Sequence, residues 1–436
     1  MTLHNGSIVS GQGSNSVHVR QGNERVILGL LRRLGTAAKA DLARHANLTA
    51  NTVGQIVQDL ETAGLVRSDG KRQGERGQPA TLLRLDPQGA YSIGVKTGRR
   101  SLDTILIDFA GRVLEQRRRE CPFPLPEQAV AMLVEDIAAV RSTIATVHGP
   151  APLAGLGIAA PYSPGCWQRE LDIPTEAYRA WNDFDLAARL KAEIGLPTFI
   201  ENDGTAAVVA ELFLGRGREL NDFLYVFIGS AAGGGVVIGG DYHRGAHSNA
   251  GDLGLMPTSP SRLSTAPEPT GRREILLTRA SINALIRHLR GASTPVTTRD
   301  ELDTAITAHP TLVDEWLDDC ADALVDPLLA AVSVLDVEAV VLDGDLPRPV
   351  LESLVERLRR FTAAAAPEAR QAPPIGLGHI GRQAAAIGAA ILPLHVNYSP
   401  SRDLPSYSYR ISNSRTPAAQ TGRLNRVVAL SSPAPS

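Results

Sequence analysis

The chain has 436 residues, 43% of them hydrophobic and 21% charged, with a formal net charge of −2. That length allows two or three domains at roughly 100 to 200 residues each, and the near-neutral charge gives no support for indiscriminate polyanion binding. No apolar run approaches the roughly 18 to 20 residues that cross a bilayer, and Cys121, Cys166 and Cys320 stand too far apart in sequence for a CxxC pair or a disulfide framework.

The opening stretch, MTLHNGSIVSGQGSNSVHVR, lacks the basic start and apolar middle of a signal peptide, so a cytoplasmic, nucleoid-associated location is expected. Positive charge gathers at this end: residues 1–86 hold 11 Lys or Arg against 7 Asp or Glu. Asn23 can cap a helix whose positions Ile27, Leu30, Leu31 and Leu34 follow the spacing of one buried face. A second short helix, Ala38 to His45, carries Leu42. In LTANTVGQIVQDLETAGLV, Thr49 is placed to cap a third helix. Its inner face is Val53, Ile56, Val57 and Leu60, and Asn51, Thr52, Gln55 and Gln58 point outward.

Three short helices and a hairpin from Val66 to Leu85, with a basic tip, predict a winged helix-turn-helix over residues 1–86, behind a disordered N-terminus. Its third helix would enter a major groove. The expected DNA contacts are Thr49, Asn51, Thr52 and Gln55 on that helix and Lys71, Arg72 and Arg76 on the wing. A three-helix module for protein contact fits the same periodicity. GERGQP, Gly74 to Pro79, fits both an Arg-led segment entering a minor groove and an ordinary solvated wing turn.

From Tyr91 onward, short β-branched runs such as YSIGVKTG, DTILIDFAG, LAGLGIAA, DFLYVFIG, GGGVVIGG and EAVVLDG alternate with Ala- and Leu-rich helical stretches, which reads as α/β. No fixed-period repeat is visible. RRRE, Arg117 to Glu120, reads as a solvated strand end, and Trp167 and Trp181 as packing residues rather than a sugar platform. His243 and His247 share a loop without further metal-ligating neighbours in the sequence. From Asn397 the chain is rich in Ser, Pro and Arg without apolar periodicity, so residues 396–436 are expected to form a disordered tail.

In IENDGTAA, Ile200 to Ala207, a carboxylate follows a strand (Thr198 to Ile200) and precedes a helix (Thr205 to Leu212). Asp203 at such a junction can be a catalytic base, a ligand holder or a helix cap, and Asn202 can bond a ligand or the neighbouring backbone.

Taken in order, the third-helix segment, GQPA, SIGVKTG, GLGIAAPYSPG, FIENDGTAAVVAE, FIGSAAGGGVVIGGDYHRGAHSNAGDLG, AVVLDGDL and RQAAAIGAAIL resemble the ROK family of repressors, open reading frames and sugar kinases. Within it, they resemble the regulators related to the xylose repressor and NagC. The resemblance implies a winged helix-turn-helix followed by a two-lobed, actin-like (ribonuclease H-like) ATPase fold. It places the first lobe at residues 87–199 with a return helix at 383–395, and the second lobe, with dimerisation, at 200–382. The implied partners are operator DNA, a small effector (a sugar or sugar phosphate) and further copies of the chain as a homodimer or tetramer.

In the family's kinases, a pair at the position of Asn202 and Asp203 binds sugar hydroxyls, and the Asp takes the proton from the attacking hydroxyl. The phosphate machinery departs from that pattern here. The acidic residue of the first loop is Lys96, and ammonium has no lone pair for Mg²⁺. The second loop reads GSAAGGG, Gly229 to Gly235, where Ala231 and Ala232 intrude on a glycine cradle. The family's Ala-Gly-Glu-x-Gly-His appears as AGDLGL, with Asp252 for Glu and Leu255 for His, and no CxCGxxGC cluster follows. A sensor without kinase activity, zinc or any cofactor is therefore expected. Its ligand residues would be Asn202, Asp203, Asp252 and Glu274, though Asp252 can equally be a turn carboxylate held by backbone amides.

Overall fold

Thr49 accepts a hydrogen bond from the Thr52 amide at 3.2 Å, and this cap starts the third helix where the Ser/Thr/Asx preference for that position expects it. The computed structural model describes residues 16–72, 80–98, 101–121, 124–148, 152–162, 175–268, 273–366, 368 and 371–400.

At the N-terminal end, α1 (Ser16–Leu34) buries Ile27, Leu28 and Leu31. It begins a full turn and more before Asn23, the cap expected from the sequence; no proline interrupts the polar run from Ser16, so Asn23 lies inside the helix. β1 (Ala37–Ala38) and α2 (Lys39–Ala46) follow, and Asn47 ends α2 in the left-handed conformation. α3 (Ala50–Thr62) buries Val53, Ile56, Val57 and Leu60. β2 (Val66–Arg72) and β3 (Ala80–Leu85) pair antiparallel from Val66 opposite Leu85 to Arg72 opposite Ala80, and β1 closes the other edge of β3. The hairpin tip, with Arg76 and the GERGQP stretch, lies outside the described residues, as do Trp167 and Cys166.

The body contains two five-stranded sheets of the same plan. The first is built from β4 (Tyr91–Thr97), β5 (Ser101–Asp108), β6 (Val113–Glu120), β7 (Leu153–Ala160) and β8 (Thr198–Asn202), in the order β6-β5-β4-β7-β8. β4, β5 and β6 pair antiparallel, and β4, β7 and β8 pair parallel. α4 (Pro126–Thr143), α5 (Thr175–Asn182) and α6 (Leu186–Ile194) connect its later strands, and α7 (Asp203–Leu214) leaves its edge.

The second sheet comprises β9 (Phe223–Ile228), β10 (Ala232–Ile238), β11 (Asp241–Tyr242), and, after the small pair β12 (Pro257–Thr258) and β13 (Glu274–Ile275) and the helices α8 (Ile282–Gly291), α9 (Arg299–Ala308) and α10 (Pro310–Leu335), β14 (Ala339–Gly344), then α11 (Arg348–Ala365) and β15 (Ile375–Leu377). Its order, β11-β10-β9-β14-β15, again joins an antiparallel meander to parallel strands. The repetition is architectural and leaves no repeated period in the sequence. α12 (Ala384–Tyr398) then returns to the first sheet and packs on β4, β7 and α7.

Three expectations need correction. A lobe boundary at residue 200 would cut β8, whose pairing with β7 continues to Asn202. Arg117 and Arg119 are not a solvated strand end: Arg117 Nε (3.0 Å) and Arg119 Nη2 (2.7 Å) donate to Oδ1 of the buried Asp136 on α4. Nor does an unstructured tail begin at 396, because α12 runs to Tyr398, whose ring meets Phe109 edge-on at 4.9 Å. The remainder of the expected tail, from residue 401, lies outside the described residues. Trp181 packs on Phe184 at 5.8 Å and donates from Nε1 to the Pro124 carbonyl.

Backbone-to-backbone contact decides where α12 sits. A Cβ on Gly157 would stand 1.7 Å from the Ala389 carbonyl oxygen, and one on Gly388 would stand 1.6 Å from that of Ala206. Gly388→Ala should therefore lower the unfolding free energy by about 2 to 3 kcal/mol. Gly22→Ala, in an exposed turn of α1 with nothing near the added methyl group, should be neutral or stabilising by about 0.5 kcal/mol. Urea titrations of the two variants check the contrast.

Candidate functional site

A strand that ends where a helix begins leaves the first amides of the helix in need of acceptors. At the β8–α7 junction Asn202 is the cap: its Oδ1 accepts from the Gly204 amide at 2.9 Å, and Asp203 Oδ1 accepts from the same amide at 2.9 Å. The strand is two residues longer and the helix starts two residues earlier than the sequence suggested, so Asp203 is the first helical residue. Both cap and ligand readings survive this geometry, because Asp203 Oδ2 and Asn202 Nδ2 have no hydrogen-bond partner among the described residues.

These two residues line an open cleft together with Lys96, Ser230, Asn249, Asp252 and Asp345. Asp252 accepts from Asn249 Nδ2 at 2.7 Å. Burial pushes its carboxyl above the usual range, and the charge of Asp203 acts in the same direction against the Asn249 bond. Two Asp–Asn pairs facing one cleft offer acceptors and donors suited to a polyhydroxylated ligand. Glu274 is not part of this lining. It sits buried on β13 opposite Thr258, close enough to Arg287 to support that residue's positive charge.

Lys96 is level with Ala159 on β7, which is level with Glu201 on β8. Two strand spacings, about 10 Å, thus separate the Lys96 backbone from the Asn202–Asp203 side of the cleft. Among the described residues, no carboxylate lies within ion-pairing distance of its ammonium group. Across the cleft, Gly229, Ser230 and Ala231 form a tight three-residue turn between β9 and β10. Ala231 closes this turn and Ala232, paired with Ile228, opens β10; both line the cleft, and Ala232 is largely buried.

The ROK family matches residues 92–395. The chain belongs to the ROK family. An uncharacterized protein, y4fQ of Sinorhizobium fredii, is 27% identical over 376 residues, 85% of this chain and 90% of that one. The xylose repressor of Bacillus spizizenii is 25% identical over 292 residues, covering 67% and 74%. A glucokinase of Halalkalibacterium halodurans is also 25% identical, over 322 residues, 69% of this chain and 94% of the kinase. Among solved structures, a ROK family transcriptional regulator, a homolog of the E. coli MLC protein, has the same fold at a TM-score of 0.62 and 20% identity, covering 88% and 98%.

On the N-terminal unit of this ROK chain, Thr49, Asn51 and Gln55 are exposed and Thr52 is half-buried. The Thr49 and Thr52 hydroxyls bond each other at 2.8 Å, and Gln55 donates to Asp59 at 3.2 Å. Lys71 is exposed on β2, and the backbone of Arg72 pairs with Ala80.

Sequence reasoning missed Glu201, directly behind the ROK cleft. Its Oε1 is 2.7 Å from Arg244 Nε and accepts from the Tyr242 hydroxyl at 3.3 Å, while Oε2 is buried without a hydrogen bond. Burial raises its pKa to about 7, against the pull of Arg244 and Tyr242. The available signal was a carboxylate at a buried position of TFIEN. Because the folded state holds this proton to about pH 7 and the unfolded state releases it near pH 4.5, the group costs stability as pH rises through that window. Relative to wild type, Glu201→Gln should gain up to about 3 kcal/mol between pH 5 and pH 8. Denaturant melts of both proteins across that range measure the difference.

Proposed function

We propose that this ROK chain is a sequence-specific DNA-binding regulator, acting as a repressor, whose cleft senses a sugar or sugar phosphate and performs no phosphoryl transfer. The observation that carries the reading is the N-terminal unit, three helices and a hairpin sheet presenting Asn51 and Gln55 outward, on a body whose cleft has Lys96 at the end of β4. In this reading the unit is a winged helix-turn-helix, α3 enters the major groove with Thr49, Asn51, Thr52 and Gln55, and Lys71 and Arg72 steer the wing to phosphates. The chain binds paired half-sites as a homodimer or tetramer.

Asn202, Asp203 and Asp252 then bond ligand hydroxyls, and Lys96 meets a phosphate when the sugar carries one. The named repressor relatives support this reading. Retention of Asp203 in the cleft and the kinase relatives favour a second reading, a sugar kinase that carries a head. The cation at position 96 opposes it, since the magnesium-phosphate complex needs oxygen ligands there.

Fluorescence anisotropy with the DNA upstream of its own gene should give salt-sensitive binding tighter than to random DNA, and Gln55→Ala should weaken it by about 1 to 3 kcal/mol. Equal affinity for both DNAs would end the regulator reading, and sugar-dependent ADP release abolished by Asp203→Asn would install the kinase in its place. In thermal-shift measurements with matched neutral and phosphorylated sugars, a bound ligand at 100 Kd should add about 2.7 kcal/mol, with Lys96→Met removing the preference for the phosphorylated form. No shift with any of them would mean a cleft that has lost sugar and an output set by another ligand or a protein partner.

A further inference from the structure

Arg32 lies near the end of α1, in the N-terminal unit, yet it is only 7% exposed. Its Nη1 donates to the Ser399 hydroxyl at 3.2 Å, and its guanidinium stands 5.0 Å from the centre of the Phe213 ring and 5.7 Å from that of Phe109. Nη2 is buried without a hydrogen bond, and no carboxylate among the described residues pairs with the charge. Burying a cation this way is expensive, and ring faces offset only part of the cost. An apolar side chain of similar length would serve stability at least as well. The neighbouring Arg33 adds bonds to the Arg218 carbonyl (2.9 Å) and Asn221 Oδ1 (2.6 Å), in the segment that follows α7.

Two of the partners of Arg32 share a property. Phe213 is in the last turn of α7, and Ser399 is the residue that ends α12. At their other ends, the same two helices reach the cleft: Asp203 and Gly204 open α7, Ala385 lies in the first turn of α12, and all three line it. Between cleft and Arg32 the helices touch backbone to backbone at Gly388 and Ala206, with no gap to absorb relative sliding. His395 of α12 also packs edge-on against Phe213 at 5.2 Å, tying the two far ends together. At 1.5 Å per residue, α7 spans about 18 Å along its axis and α12 about 22 Å.

We infer that α7 and α12 form a paired rod running from the cleft to the N-terminal unit, and that Arg32 is the positioning residue through which a change at the cleft reaches α1. Asp203 and Ala385 move the rod at one end, and Phe213 and Ser399 carry the displacement to the guanidinium at the other. The inference rests on the cleft being the ligand site and needs no DNA.

Amide hydrogen exchange on the full chain tests it. Asp203→Asn and Ala385→Leu serve as perturbations at the cleft end, each made in the wild-type and Arg32→Met backgrounds, with protection of β4 and β9 amides confirming that each variant folds. In the wild-type background, at least one cleft substitution should change exchange of the α1 amides from Val26 to Leu34 about threefold or more. In the Arg32→Met background the same substitution should leave them unchanged. A purely structural Arg32 would shift α1 protection by the same factor in every variant, which would overturn the inference. So would α1 amides that ignore both cleft substitutions in the wild-type background. If Ala385→Leu does not fold, Asp203→Asn alone decides. Failure of the wild-type protein to bind its upstream DNA would reject the regulator reading and leave this result standing.

Discussion

Where α12 crosses β7 and α7, the main chains come so close that no side-chain carbon fits at Gly157 or Gly388. Everything else in the body is arranged around that contact. It brings the last described helix of the chain back onto the first sheet and puts Ala385 and Asp203 in the lining of one cleft. It also pins the two helices against each other over most of their length. A looser crossing, with ordinary side chains between the axes, would leave each free to shift by an ångström or more without disturbing the other. The hydrophobic cluster built on this crossing extends without a break from Leu394 and Ala389 to Ile27, Leu28 and Leu31 of α1.

Electrostatics divide the molecule differently from packing. In the cleft, Asp203, Asp252 and Asp345 share the lining with Lys96; Asp345 is also paired with Arg299 at 2.6 Å, and burial pushes the Asp252 carboxyl above its usual range. Behind the cleft the balance reverses. Burial pushes His395 down to about 3, and Arg32, Arg25 and Arg244 press in the same direction, so it stays neutral. The junction beneath the N-terminal unit is therefore held by cations over rings and by neutral donors, a combination that tolerates rearrangement better than paired salt bridges would.

Much of this was legible in the sequence because it is local. The cap at Thr49, the buried face of α3, the strand character of YSIGVKTG and DFLYVFIG and the Asp203 junction each depend on residues within one or two turns of each other. What escaped depends on distance along the chain. Arg32 meets Ser399 across 367 positions, and Asp136 collects Arg117 and Arg119 from a neighbouring strand, so two exposed-looking arginines became partners of one buried carboxylate. Glu274 was matched by its place in a loop, and pairing with β12 turned it away from the cleft lining. The end of β9 could not be located from composition; the hairpin register puts Ala231 in the turn and Ala232 at the start of β10, both in the cleft lining.

The unbroken cluster between α1 and the body bears on how such chains diversify. An N-terminal unit joined by a bare linker could be exchanged among relatives as a cassette. Here, a transplanted head would bring Arg32 to a socket that must supply Phe109, Phe213 and Ser399 in register. Recombination at the boundary near residue 86 would leave that socket mismatched, so the outer surface of the N-terminal unit is more readily altered through point substitutions on the exposed face of α3, which the socket does not touch.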